Sequence, residues 1–188
     1  MSKLFRYGGI VASIVLIAFG AGALYIGANG RSEVRSDLKR EQIVGTPDMA
    51  KSVANKQVLT GAQAKAFAAG MRKHTLEATG GQTYSQMGRY LTAAGKPTND
   101  EKAAAVDPKS GKPVDNPARN LWVTETALTT ALNTSYFAES VSVFAIVMGV
   151  ALLLVGVGFL VLTLIALRQP AAEEAVGWKP SPAAPTAS

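Results

Sequence analysis

Residues 14–41 read IVLIAFGAGALYIGANGRSEVRSDLKRE, a wholly apolar run that passes without a break into a segment charged at nearly every second position. Extended upstream to Gly8, the run gives 21 uncharged positions ending at Ala28. As a helix this is about 32 Å long, enough to cross a hydrocarbon layer of about 30 Å. A second run, Ser140 to Leu167, holds 28 uncharged positions and reaches about 42 Å as a helix. Tilt, or a first turn outside the apolar layer, absorbs the excess and puts Ser140 and Ser142 in the interface. These two runs decide the expected fold: an all-α membrane protein in which two transmembrane helices, 8–28 and 140–167, flank a small extracytoplasmic helical module. Residues 1–7 form an N-terminal tail. Residues 168–188, rich in Ala and Pro with a lone Trp178, read as a disordered C-terminal tail.

Two readings compete for the first run. Lys3 and Arg6, the stretch Ile10 to Gly20, and the small residues Ala21-Gly22-Ala23 have the order of a signal peptide cleaved after Ala23. The apolar stretch continues through Leu24-Tyr25-Ile26, however, well past the about 7 to 15 apolar residues a signal requires, and Tyr25 falls where an interfacial aromatic belongs. A retained anchor is the expectation. Charge bias sets orientation. Arg31, Arg35, Lys39 and Arg40 follow the first run and taken alone argue for a cytoplasmic loop. Arg168 at the exit of the second run, with no Lys or Arg between Arg119 and its start, argues for a cytoplasmic C-terminus. The 111 positions of loop 29–139 are long enough to translocate despite their charge. The protein is therefore expected in the plasma membrane as a multi-pass protein, both tails cytoplasmic and the loop outside.

Composition removes several chemistries. The chain has no Cys, so thiolate nucleophiles, disulfides, iron–sulfur clusters and thiolate zinc sites are excluded. The net charge of +6 is spread over the loop, where 15 Lys and Arg stand among 11 Asp and Glu. That is a mixed solvated surface with no dense basic patch for nucleic acid. His74 is the single histidine, and neither run carries a charge that would serve a proton relay or ion path. No cofactor and no metal are expected.

After the first run, RSEV, RSDL and KREQ repeat with period four. Arg31, Arg35 and Lys39 share one helical stripe, and Glu33, Asp37 and Glu41 lie roughly opposite. This is read as a helical stalk, 31–42, continuing the first span. Like charges four apart disfavour an isolated helix. The stripe, with Arg40, is therefore also a candidate membrane-surface contact for anionic head groups.

Within the loop, Thr60-Gly-Ala-Gln63 and Thr83-Tyr-Ser-Gln86 match the capping box. Each predicts a helix. The first runs to Ala78 and stops at Gly80-Gly81, with Phe67, Met71, His74 and Ala78 on one face. The second runs to Ala94 and stops at Gly95, with Tyr84, Met87 and Leu91 as its core stripe. Thr46-Pro47-Asp48 suggests a further start. Residues 96–118, with Pro97, Pro108, Pro113 and Pro117, read as a turn-rich loop or flexible linker. Their DPKSGKP lacks the spacing of a phosphate-binding loop, and Asp100, Asp107 and Asp115 are too scattered for a calcium loop. Asn116 caps a helix with Pro117 in its first position, and nothing breaks that helix before the second run. Trp122, Leu128, Leu132 and Tyr136 on this extension form the candidate contact surface for a partner. Thr124, Thr126, Thr129, Thr130, Asn133 and Thr134 occupy its other faces. In the spans, Ala18, Gly22, Ala23 and Gly27, and Ala145, Gly149 and Gly156, are small-residue seams that suit close helix packing, within one chain or in a homo-oligomer.

The stretches TYSQMGRYL, SGKPVDNPARNLWVTETALTTALNTSYFAESVSVF and GVGFLVL resemble those of a family of uncharacterised two-span actinobacterial membrane proteins, over about three quarters of the chain. Members are often labelled aromatic ring-opening dioxygenases. The resemblance implies a two-span topology. The label implies iron held by two His and a carboxylate, and His74 alone does not supply that set unless another subunit brings the metal. Three functions follow from the residues. The leading one is a non-catalytic accessory or scaffold protein of the cell envelope, engaging the bilayer and another membrane or envelope protein. The others are an anionic-lipid sensor using Arg31 to Arg40, and a subunit of an envelope enzyme with His74, Glu77 and Glu125 as candidate acid or base.

Overall fold

A computed structural model describes residues 3–168. The expected C-terminal tail with Trp178 lies, apart from Arg168, outside the described residues. Three α-helices dominate: α1, Lys3–Arg40; α2, Gly61–Ala78; and α3, Pro117–Arg168. The fold is mostly helical, and α1 and α3 each contain a stretch long and apolar enough to cross a membrane. At 38 and 52 residues, both extend far beyond the apolar runs that seed them. The chain divides into two compact units, residues 1–22 with 148–188, and residues 23–147.

In the first unit α1 and α3 pack antiparallel at glycines. A Cβ on Gly20 would lie 2.9 Å from the Gly149 carbonyl and 2.9 Å from Leu153. One on Gly156 would lie 2.9 Å from Ile17, and one on Gly9 would lie 2.7 Å from Thr163. Backbones this close need small residues at the crossing, which in an apolar medium gain dispersion contacts instead of solvent release. The seam differs from the expected one. Ala18 and Gly22 are exposed, and space is open around Gly22. Buried positions on α1 recur instead every seven residues, at Ser13, Gly20 and Gly27, the repeat of a left-handed helix pair. Gly149 and Gly156, also seven apart, are buried on α3.

In the second unit Gly27 abuts the Ser142 carbonyl and Ile146, while Ala23 and Ala145 are half-buried. Above this crossing a core forms from Leu38, Val53, Val58, Ala64, Ala68 and Leu132, with Ile43, Met49, Phe67 and Met71 packed on it. α2 starts and stops where its sequence predicts. The Thr60 hydroxyl accepts from the Gln63 N–H at 3.2 Å, and the Gln63 amide oxygen accepts from the Leu59 N–H at 2.9 Å. At its end Gly80 and Gly81 take φ of 63° and 78°. The Gly81 N–H reaches back to the Leu76 carbonyl at 2.7 Å, a Schellman closure that glycine permits without a Cβ clash. Asn116 caps α3 by accepting from the Ala118 N–H at 3.1 Å.

Two expected helices are absent. Thr46-Pro47-Asp48 makes an isolated turn, closed by Met49 N–H to Thr46 carbonyl at 3.2 Å. Residues 43–58 then fold back on themselves, with Val58 N–H bonded to Ile43 carbonyl at 2.8 Å, so Val53 and Val58 reach the core. The segment after Thr83 forms only a single 3₁₀ turn, Tyr84–Gln86, before entering strand β1, Tyr90–Leu91, which pairs antiparallel with β2, Pro97–Thr98. Leu91 N–H also donates to Val114 carbonyl at 3.0 Å and its carbonyl accepts from Ala105 N–H at 2.8 Å. The proline-rich stretch is thus tied in by backbone bonds. Within it Asp107 accepts from the Lys109 N–H at 3.0 Å and the Ser110 hydroxyl at 2.7 Å, which makes it a turn-former.

Candidate functional site

The most concentrated polar chemistry in the second unit centres on Glu139, one residue before the second uncharged run. Its Oε1 accepts from the Nε–H of Arg35 at 2.7 Å and of Arg31 at 3.2 Å. Its Oε2 accepts from the Gly61 N–H at 2.5 Å. Three elements therefore converge on one carboxylate: the stalk of α1, the first residue of α2, and α3. The stalk's period of four puts both arginines on the face toward α3. Gly61 permits the third contact, because a Cβ there would sit 2.7 Å from the Tyr136 Cα.

The Glu139 side chain is 10% exposed, its two arginines 43% and 41%. Burial pushes the carboxyl pKa up. The Gly61 N–H and the two guanidinium groups outweigh burial and hold it below its ordinary value. A helix N-terminus and two cations favour the ionised form together. Beside the carboxylate an open groove of about 400 Å³ is lined by Arg31, Arg35, Ala62, Tyr136 and Val143, among others.

The four residues of the expected membrane-surface stripe thus divide. Arg31 and Arg35 engage Glu139. Arg40 pairs with Asp37 at 2.9 Å, and Lys39 is exposed, its carbonyl accepting from Gln57 at 2.9 Å. Sequence reasoning missed Glu139: its one signal is its place at the edge of an apolar run, and nothing in the spacing points it at residues more than 100 positions earlier.

The candidate partner surface also divides. Trp122 and Leu132, 3% and 5% exposed, are consumed by the chain's own packing. The Trp122 indole donates to the Gln82 carbonyl at 2.9 Å, with the Arg72 guanidinium 5.2 Å from the ring centroid, and Leu132 belongs to the core. Neither is free for a partner. Lys65 lies 4.5 Å from the Tyr136 ring centroid. Leu128 alone is solvent-facing, 48% exposed. It lines an apolar groove of about 490 Å³ with Leu38, Ile43, Met49, Phe67, Met71 and His74.

The acid–base candidates do not converge. His74 pairs with Asp48, Nε2 to Oδ2 at 2.5 Å. The Thr46 hydroxyl and then His74 lower the Asp48 pKa to about 2. Glu77 makes an exposed pair with Lys73 at 3.7 Å, and buried Glu125 accepts from the Thr126 hydroxyl at 3.3 Å. Among the described residues no three His, Cys, Asp or Glu side chains come together in a way that would hold a metal ion. No family model, curated protein or solved structure matches the chain.

Proposed function

We propose that this is a two-span plasma-membrane protein of the bacterial cell envelope, both tails cytoplasmic, whose outer module acts as a non-catalytic scaffold for a second membrane or envelope protein. The supporting observation is the groove at Leu128. Large apolar side chains on α1, α2 and α3 leave one face of the core open instead of closing it, and open apolar concavities of this kind mark interaction sites. The Glu139 junction suits the role, because it fixes the module to the stalk through three charge-assisted hydrogen bonds. Membership in the two-span actinobacterial family named above is part of the same proposal. Its ring-opening label has little support in a chain with one histidine.

The test combines topology with capture in the native host. Protease added to intact spheroplasts should cut within 29–139 and leave a C-terminal tag protected. A photo-crosslinking residue at Leu128 should then yield one discrete adduct that the same residue at exposed Lys102 does not. A protected loop would overturn the orientation, and identical adduct patterns at both positions would overturn the docking face.

A further inference from the structure

The groove beside Glu139 has a chemistry that the scaffold reading does not use. Arg31 and Arg35 each spend only their Nε–H on Glu139. Among the described residues, their terminal guanidinium nitrogens make no hydrogen bond to the protein. Two cations share one carboxylate, so the cluster keeps one net positive charge. Both arginines line the groove, and Ala62 and Val143 give it apolar lining.

The level of this groove matters as much as its charge. The first uncharged run ends at Ala28 and the second begins at Ser140. Gly27 and Gly30 both abut Ser142, so the two runs reach their polar ends side by side. A phospholipid phosphate sits at that boundary in a bilayer, with its glycerol and chains on the apolar side. Guanidinium groups bind phosphate through paired N–H donors, which is the edge these arginines leave unused.

We propose that this groove binds the phosphodiester headgroup of an anionic membrane phospholipid, held by the terminal nitrogens of Arg31 and Arg35, whose Nε–H groups stay on Glu139. A zwitterionic headgroup fits less well, because it brings a quaternary ammonium beside the two guanidinium groups. Lys39 and Arg40, though part of the same charge run, stand outside the site. The inference rests on both runs lying in a membrane and is independent of which face the loop occupies.

The test uses the full chain purified in mild detergent and mixed with equal amounts of phosphatidylglycerol and phosphatidylcholine, with bound lipid counted by native mass spectrometry. Phosphatidylglycerol should be retained about tenfold over phosphatidylcholine, and R31Q/R35Q should abolish that preference. K39Q/R40Q should leave it within about twofold, because general surface charge is not the determinant. R31K/R35K, which keeps charge but loses the paired edge, should lower retention severalfold at unchanged helicity, a result that holds even if R31Q/R35Q fails to fold. E139Q should retain the lipid as well as or better than wild type, since a competing charge is removed. Equal retention of the two lipids, full retention by R31K/R35K, or an equal loss in K39Q/R40Q would each overturn the site. Displacement of the lipid by millimolar inorganic phosphate would reassign it to a free anion. Carbonate extraction of native membranes separates the two levels: a protein that stays in the pellet without lipid preference breaks the site alone, whereas release breaks the membrane reading.

Discussion

The segments that begin at Thr60 and Thr83 carry the same four-residue opening and end as different structures. Both have a Thr whose hydroxyl engages a Gln three residues on, and both hold an interior glycine, Gly70 and Gly88. After Thr60 the chain runs as α2 for 18 residues. After Thr83 it makes one tight turn and becomes a strand. The difference lies in what surrounds the glycines. Gly70 faces the side chain of Met49 at 2.9 Å from its Cβ position, a flexible neighbour that accommodates a helix. Gly88 faces backbone, 2.5 Å from the Thr98 nitrogen, and the Asn116 side chain donates to its carbonyl at 2.9 Å. A capping box secures only the first turn. Continuation depends on whether tertiary partners reward the helix or the extended chain.

Substitution at Gly88 should break this comparison most forcefully. In Gly88→Val the new side chain must displace the backbone of Pro97 and Thr98, where no rotamer change offers relief. A loss of about 3 kcal/mol is expected, within the range for overpacked sites. Hydrogen exchange should show the loss of protection concentrated at Leu91, Ala105 and Val114, with α2 amides little changed. Equal loss across α2 would mean that the two segments form one cooperative unit. The next largest effect belongs to the core that rewards α2. Val53 is fully buried, and Val53→Ala should cost about 2 kcal/mol in chemical denaturation of the solubilised protein, with α2 protection falling first.

Glu139→Gln should cost about 1 kcal/mol at neutral pH, a modest figure because the two arginines remain partly in water. Its pH dependence is more telling. The folded-state pKa of Glu139 lies below its ordinary value of 4.5, so its contribution is fully present above that value and is lost as pH falls through the lower folded pKa. Wild type should lose the advantage over E139Q progressively below about pH 4.5, and the two stability curves should converge in acid. Parallel curves would show that the ion cluster contributes no proton linkage.

The apolar runs, the caps of α2 and α3, and the continuity of α3 were legible because each rests on local signals: uncharged length, a polar side chain at a helix start, paired glycines at a stop. The β1–β2 pairing of Tyr90 with Thr98 was not, nor were the bonds that tie Leu91 to Ala105 and Val114, because no local periodicity encodes such partners. The site was half legible. The period-four repeat placed Arg31 and Arg35 on one face, but Glu139 was missed, because its meeting with them is a property of the register of two helices. The helix seam shows the same limit. Small residues four apart drew attention to Ala18 and Gly22, whereas the packed positions follow the seven-residue spacing of Ser13, Gly20 and Gly27. That longer spacing is the signal that would have found it.

The smallest effects sharpen the comparison most. Thr60→Ala removes the hydroxyl that accepts the Gln63 N–H and should cost about 1 kcal/mol, with fraying over the first turn of α2. Thr83→Ala removes a hydroxyl that bonds the Gln86 amide at 2.9 Å in an exposed 3₁₀ turn, while the Gln86 side chain still accepts from the residue 83 N–H at 2.8 Å. There is no long helix behind it to fray. Its cost should stay below about 0.5 kcal/mol, the usual bound for surface changes. If the two alanine variants lost equal stability, the box at Thr83 would be supporting the hairpin that follows. The distinction between a cap that starts a helix and a cap that only turns the chain would then no longer explain why the two segments diverge.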